Sequence, residues 1–247
     1  MMRTLAFLLA LVAGGAVAAD AAAPAVAVSA AATVSPSASQ QTYVLSRGRL
    51  TLGEAQFRLA PSGAEGCWRY EYVAQPTGLA ALFIGKLSER SDFCVEDGRL
   101  QSRHFEFHRA DRAKDDFSVD FDWKAGTAKT SRGVEVPLAD GVTDRLAMQI
   151  AIQRWVIARN GTPGPEELAI TKVEAKRAKT YRFRISARES LAVPAGRFDA
   201  IRVERVDNPD RSVRFWLAPA LGYAAIRVED LEDGSEQFSM ALKSATP

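Results

Sequence analysis

The stretch that decides the fold is residues 193–229, which contains VPAGRFDAIRVERV at 193–206 and RFWLAPALGYAAIRVE at 214–229. Apolar residues alternate there with arginine and glutamate, a period of two that is typical of strands with one buried and one solvated face. Proline- and glycine-containing turns at 194–196 and 219–222 separate the runs. The stretch therefore predicts three antiparallel strands over a core.

The same alternation extends in both directions, and about ten strand-like segments follow one another after residue 41 without alternating βαβ units. We predict a mainly β protein built as a strongly curved antiparallel sheet or an incomplete, clam-like β-barrel. In the second half of the chain, the alternation assigns these residues to the core: Tyr181, Phe183, Ile185, Ile201, Val203, Val213, Phe215, Leu217, Ile226, Val228, Phe238, Met240 and Leu242.

Residues 141–160 break the β pattern. Their length, Asp140 as a candidate N-cap, and Asn160-Gly161 followed by Pro163 predict one helix. Its polar residues at four-residue spacing are Arg145, Gln149 and Gln153. Apolar residues cover most of the remaining circumference, so we expect the helix to lie on the concave side of the sheet and to be covered on several sides.

The first 18 residues have the three parts of a secretory signal: Arg3, an apolar run at 4–12, and the small-residue site Ala16-Val17-Ala18. No cysteine follows the signal, so a lipoprotein anchor is not expected. Residues 19–41 resemble a flexible Ala/Ser/Pro-rich leader, and residues 42–247 form a single β-rich domain. We predict export through a cleaved signal, a periplasmic location and no membrane-spanning segment in the mature chain.

The composition adds constraints on partners and on covalent structure. Lysine and arginine number 32 against 30 aspartates and glutamates, a net charge of +2 that gives no overall field to attract nucleic acid. The only cysteines, Cys67 and Cys94, lie in strand-like runs. In an oxidising compartment they are expected to form a disulfide worth roughly 3–4 kcal/mol; two buried free thiols are the alternative.

Several short motifs carry a resemblance to a known family. They include Glu89-Arg90-Ser91-Asp92-Phe93, Phe121-Asp122-Trp123, Asp144-Arg145-Leu146, the segment 194–199 and Trp216-Leu217-Ala218-Pro219. In their order and spacing, the chain resembles the bacterial domain-of-unknown-function family 3108 (DUF 3108) of exported β-rich proteins. The resemblance implies an envelope protein without an established activity, and a fold similar to the β-clam of periplasmic lipoprotein carriers.

Candidate metal and catalytic residues are few. His104, Glu106 and His108 alternate along one strand and are weak candidates for metal ligands, although the wet face of a half-buried strand has the same pattern. No nucleophile motif or phosphate-binding glycine loop occurs in the sequence, so we predict no catalytic residues and no cofactor. The arginine-rich face at 193–229 is interpreted as scaffold, because interspersed Glu204 and Glu229 favour cross-strand ion pairs.

The apolar loop at 76–86 and the helix are the candidates for a ligand site. Together they predict a possible cavity lining formed by Leu79, Leu82, Phe83, Ile84, Met148, Ile152 and Trp155. The predicted function is a non-enzymatic binder of an apolar envelope component, a lipid or an acyl chain, within the curved sheet. The alternative is a structural or interaction module with a filled core, whose partner is an envelope protein.

Overall fold

The structure is a computed structural model that describes residues 35–82 and 85–246, with the side chain of Leu79 left out. The predicted signal at 1–18 and the leader up to residue 34 lie outside the described residues. The first strand begins at Ser39, so residues 39–41 of the predicted leader belong to the sheet. Gln41 is buried there because it pairs with Phe57 on one side and Ala245 on the other.

One antiparallel sheet forms nearly the whole described chain. The strands before the helix are β1 Ser39–Arg47, β2 Leu50–Pro61, β3 Cys67–Pro76, β4 Leu87–Glu96, β5 Arg99–Arg109, β6 Phe117–Asp122, β7 Thr127–Thr130, β8 Glu135–Pro137 and β9 Val142–Thr143. Those after it are β10 Glu167–Glu174, β11 Arg177–Val193, β12 Gly196–Arg205, β13 Arg211–Ala218, β14 Ala224–Glu232 and β15 Ser235–Thr246. Residues 193–229 span β12, β13 and most of β14, which confirms the three predicted antiparallel strands.

The strand order shows how the two halves of the chain join. The fifteen strands run β8-β7-β6-β5-β4-β3-β2-β1-β15-β14-β13-β12-β11-β10-β9. Each half is therefore a meander, and the halves meet at the centre of the sheet, where β1 pairs with β15. Among the strand pairs of the described residues, the β9–β10 pair alone is parallel.

The helix α1 occupies the concave side of this sheet. It spans Arg145–Ala158 and packs against β3, β4 and β5 on one side and β10 on the other. Since these strands lie far apart in the strand order, the sheet must curve around the helix to reach it from both sides. The prediction of a curved, incomplete barrel with an inserted helix is confirmed.

The predicted start of the helix was wrong. Asp140 is not the N-cap; Asp144 is, and its carboxylate accepts hydrogen bonds from the backbone N–H groups of Leu146 and Ala147. Residues 142 and 143 form the short strand β9, which pairs with Thr171 and Lys172 and cannot also be helical. The predicted end is confirmed, since Gly161 has a positive φ and donates to the Val156 carbonyl.

The core lies between the helix and the inner face of the sheet. Of the predicted core residues, Val213 and Phe238 are partly buried and the others are buried. The edge strand β9 approaches β5, the fourth strand from the other edge, without forming a ladder with it: the Ser102 hydroxyl on β5 lies 2.9 Å from that of Thr143 on β9. The sheet is barrel-like, but it is not closed by backbone hydrogen bonds.

Candidate functional site

A small cleft opens beside α1 on the inner side of the sheet, where the sequence predicted a ligand cavity. Its volume is about 80 Å³, and Ile152 of the helix, Tyr43, Tyr70 and Gln153 are among its lining residues. The Tyr43 hydroxyl donates to the Ala225 carbonyl at 2.6 Å, and the Gln153 amide donates to the Gly222 carbonyl at 2.6 Å. The cleft is therefore narrow and partly polar, with hydrogen bonds to the backbone across it.

The predicted lining residues do not all lie at this cleft. Ile152 lines it and is 1% exposed, and Trp155 is buried in the core. Met148 is partly buried against the same core. Leu82, at the end of the 3-10 helix Gly78–Leu82, is 73% exposed and does not line this cleft.

The remaining predicted lining residues belong to the same loop. Phe83 and Ile84 lie outside the described residues, as does the side chain of Leu79. The Thr77 backbone N–H donates to the Leu52 carbonyl, and the 3-10 helix that follows packs against β2. This contact places the described part of the loop at one end of the β2–β3 pair.

A buried polar cluster, which we call the helix anchor, fixes the start of α1 on β4 and β5. It comprises Glu89, Ser91, Ser102, Asp144 and Arg145. Asp144 is fully buried and accepts hydrogen bonds from the hydroxyls of Ser91 at 2.7 Å and Ser102 at 2.6 Å. Its other oxygen caps the helix, so one carboxylate joins two strands to the helix N-terminus.

The second half of the helix anchor is an ion pair. An Arg145 Nη1–H donates to Glu89 Oε1 at 2.6 Å; the Glu89 side chain is 0% exposed and the Arg145 side chain 43% exposed. Within the described part of the chain, Glu89 Oε2 is buried without a hydrogen-bond partner. The Arg145 guanidinium also lies over the ring of Tyr72, 5.6 Å from its centroid.

Burial controls the protonation of these carboxyls. It raises the pKa of Glu89 above its ordinary value, and Arg145 only partly opposes the shift. Burial likewise raises the pKa of Asp144, against the hydrogen bonds from Ser102 and the helix N–H groups. Both carboxyls therefore take up a proton more readily in the folded protein than in the unfolded chain.

Charged neighbours on β10 complete the inner polar region. Burial lowers the pKa of Lys172, which pairs with Glu174 at 3.0 Å. Burial of Glu174 opposes ionisation, but hydrogen bonds from Arg177 and Lys172 prevail and lower the Glu174 pKa to about 2. The folded structure therefore favours an ionised Glu174 while it disfavours ionised Glu89.

The sequence contained a signal for the helix anchor that motif reasoning did not use. Glu89 and Ser91 lie in one segment that carries the family resemblance, and Asp144 and Arg145 lie in another. The indole N–H of Trp123, from a third such segment, donates to the Ser102 carbonyl at 2.8 Å. Three separate motifs thus meet around the start of the helix.

The outer face of the sheet, opposite the helix, carries a groove of about 320 Å³ across β1 to β5. A row of cross-strand partners runs along it: Gln40, Arg58, Glu71, Arg90 and Glu106. An Arg90 Nη2–H reaches Glu106 at 3.2 Å. Arg90 Nε is buried and has no acceptor among the described residues, the nearest Asp92 oxygen lying 3.7 Å away.

The outer face of the C-terminal half has the ion pairs that the sequence predicted. Glu204 lies 3.1 Å from Arg202 and 3.2 Å from Arg214. Arg227 pairs with Glu229 at 2.7 Å and with Glu236 at 3.3 Å. The cross-strand ion pairs expected on this face are therefore present.

The histidine strand is also on the outer face. His104 Nδ1 lies 2.6 Å from Asp120, and its Nε2 lies 3.0 Å from Glu106. His108 Nδ1 lies 2.6 Å from Asp116. The two imidazoles thus have separate carboxylate partners, and hydrogen bonds to those carboxylates raise the pKa of His104 despite its partial burial.

A disulfide joins Cys67 and Cys94, which are direct cross-strand partners on β3 and β4. The predicted pairing is confirmed. Glu96 lies close to both sulfurs, but a disulfide sulfur is not a thiolate and is not available as a metal ligand.

The fold and these sites define a class: a barrel-like open β-sheet with a plug helix and a polar outer groove. The chain belongs to the family described as "Protein of unknown function (DUF3108)", whose model matches residues 42–242. Comparison with proteins of curated function gives no match. None of the helices in the described ranges has the length and apolar composition needed to cross a bilayer.

Several solved structures are similar to this chain, including the following two. One is a β-barrel-like protein of the domain of unknown function DUF1849 from Brucella abortus; it has a TM-score of 0.55 and 10% identity, with 85% of this chain and 97% of that chain covered. The other is a protein from Bacteroides fragilis with a YmcC-like fold; it has a TM-score of 0.40 and 12% identity, with 85% and 94% covered. The first likeness shows that the fold is shared.

Proposed function

We propose that this protein is a non-enzymatic interaction module of the cell envelope that binds its partner through the outer face of the sheet. One observation carries the proposal: the cleft beside the helix measures about 80 Å³, whereas the outer groove measures about 320 Å³. Ligand pockets are typically about 300–1,000 Å³. The inner cleft is too small to enclose an acyl chain, while the groove reaches the lower end of this range.

Two further features support an envelope location. The first 18 residues have the pattern of a secretory signal, for which periplasmic export is the predicted outcome. The Cys67–Cys94 disulfide suits an oxidising compartment. Neither feature depends on the identity of the partner.

The chemistry of the polar clusters supports a binding role over a hydrolytic one. Ser91 and Ser102 donate to a capping carboxylate, whereas His104 and His108 lie on the opposite face of the sheet with carboxylates of their own. Since a serine nucleophile needs a base within hydrogen-bond reach, this arrangement does not form a triad.

Uptake of a dansyl-labelled fatty acid tests the proposal against the lipid-binding prediction. A filled core predicts no saturable fluorescence increase with the purified full-length protein. A saturable increase that palmitate displaces would instead assign the function to the inner cleft and overturn the proposal.

A matched pair of variants tests whether any bound fatty acid lies in the inner cleft. Ile152→Ala enlarges the cleft and Ile152→Phe fills it, because this side chain lines the cleft and is 1% exposed. If the cleft is a lipid site, the first substitution raises the uptake and the second abolishes it. Under our proposal, the labelled fatty acid has the same fluorescence with the wild-type protein or with Ile152→Phe as it has without protein.

A further inference from the structure

The outer groove carries charged groups of both signs along one row of cross-strand partners. Arg58 lies opposite Glu71, and Glu71 opposite Arg90. Among the residues that the structure describes, neither Arg58 nor Glu71 has an oppositely charged group within 4.0 Å, and Arg90 Nε has no acceptor. The row therefore presents free donors and free acceptors in alternation.

The mixture of charges restricts the ligand. An anion would approach Glu71 and Glu106, a cation would approach Arg58 and Arg90, and Val73 is the groove's only apolar lining side chain among the described residues. Hydroxyl groups suit such a surface because each one both donates and accepts hydrogen bonds. Neighbouring strands place successive side chains about 4.8 Å apart, so a ligand laid across the strands meets arginine and glutamate in turn.

A peptide fits less well. The groove lies on the face of the sheet, where the backbone groups of β2 to β4 are already paired in ladders and cannot add another strand. Besides Arg58 and Arg90, the amides of Gln40 and Gln56 supply further donors and acceptors on β1 and β2. Side-chain amides, carboxylates and guanidinium groups together match a chain of hydroxyl-bearing rings.

We propose that the outer groove across β1 to β5 binds a neutral oligosaccharide, with Arg58, Glu71 and Arg90 bonding to its hydroxyl groups. This inference rests on the proposed outer-face function and names its ligand class. An open, polar groove of about 320 Å³ predicts weak binding, with a dissociation constant of about 1 mM, or about −4 kcal/mol.

Amide chemical shifts of the full-length protein test the inference during titration with two tetrasaccharides, one of β-1,4-linked N-acetylglucosamine and one of α-1,4-linked glucose. We expect saturable shifts on β1 to β5 with at least one of them. Arg90→Ala is expected to weaken binding about tenfold, the loss of one good polar contact of about 1.4 kcal/mol.

Arg214→Ala is the matched control. Arg214 lies on the outer face of the C-terminal half, 3.2 Å from a glutamate of the neighbouring strand, with 39% of its side chain exposed against 37% for Arg90. Its Nε is the atom that lies 3.2 Å from Glu204, although without hydrogen-bond geometry, whereas the nearest carboxylate oxygen to Arg90 Nε is 3.7 Å away. We expect it to leave the affinity within about twofold of the wild type, a change below about 0.5 kcal/mol.

Three results would overturn the oligosaccharide assignment. The first is no chemical-shift change with either sugar at about 10 mM, ten times the expected dissociation constant, and the second is an equal loss of sugar affinity in both variants. The third is shift changes on β1 to β5 only with a tetrapeptide such as Ala-Glu-Lys-Ala. The peptide result would leave the outer-face function standing. Palmitate-displaceable uptake of the labelled fatty acid would instead overturn the proposed function itself.

Discussion

The Glu89–Arg145 pair and the Glu204–Arg214 pair have the same chemistry on opposite faces of one sheet. Glu89 is 0% exposed, has one arginine partner and leaves one buried oxygen without a partner in the described structure. Glu204 is 24% exposed and lies between two arginines. Water can solvate the outer carboxylate, whereas the inner one depends on a single guanidinium.

This difference separates the two roles that charge has in the fold. On the inner face, charged groups position the helix, and their removal leaves buried partners unsatisfied. On the outer face they keep the surface hydrated, and exposed pairs of this kind contribute about 0–1 kcal/mol. Substitutions at three positions test this separation.

The largest effect is expected for Asp144→Ala. The change removes the helix cap and leaves the hydroxyls of Ser91 and Ser102 and two backbone N–H groups without their acceptor. We expect the free energy of unfolding, measured by urea denaturation, to fall by about 3 kcal/mol. Asp144→Asn retains a capping oxygen and is expected to lose about 1 kcal/mol. A loss below 1 kcal/mol for the alanine variant would contradict the anchoring role.

An intermediate, pH-dependent effect is expected for Glu89→Gln. Because burial raises the pKa of Glu89 above 4.5, the folded state binds this proton more tightly than the unfolded state. Lowering the pH from 7 towards 4.5 should therefore stabilise the wild-type protein relative to the variant. Below pH 4.5 the difference in the free energy of unfolding between the wild-type protein and the variant should become constant.

Urea denaturation of both proteins across this pH range measures the change. The Glu174 carboxyl, with a pKa of about 2, is present in both proteins, so its acid destabilisation cancels in the difference. If the stability of the wild-type protein relative to the variant falls on acidification, the effect of Arg145 on the Glu89 pKa outweighs the effect of burial.

The smallest effect is expected for Glu204→Gln. This carboxylate is partly exposed, and its arginine partners remain accessible to water. We expect a change of no more than about 0.5 kcal/mol in the free energy of unfolding, decreasing further with added salt. A loss above 2 kcal/mol would show that the two faces do not differ as proposed.

The strands were predictable from the sequence because their side chains alternate with a period of two and one face is apolar. Residues 193–229 needed no distant information to reveal three strands. The start of the helix could not be predicted in this way. Asp140 and Asp144 are both acceptable caps, and the choice depends on Ser91 and Ser102, which come from strands that only the folded sheet brings close.

The candidate groove could not be predicted from the sequence, because its position depends on the register of the strands. Arg90 and Arg214 each lie in a strand-like run close to an aspartate, Asp92 and Asp210 respectively. The register places Arg58 opposite Glu71 and Glu71 opposite Arg90. In the other half of the sheet it places Arg214 opposite Glu204, which also contacts Arg202. Alternation along one strand gives the face of each residue, but not its neighbour on the next strand.

The pairing of β1 with β15 has a consequence for the order of folding. Gln40 lies opposite Thr246, so the central ladder of the sheet joins residues from the first and last strands of the described chain. Contacts so distant in sequence form slowly, because a long loop must close before they contribute. The β1–β8 meander is synthesised first, but it cannot join the second meander until β15 has left the ribosome. A newly made chain therefore lacks the central ladder of its sheet until β15, the last strand of the described residues, has been made.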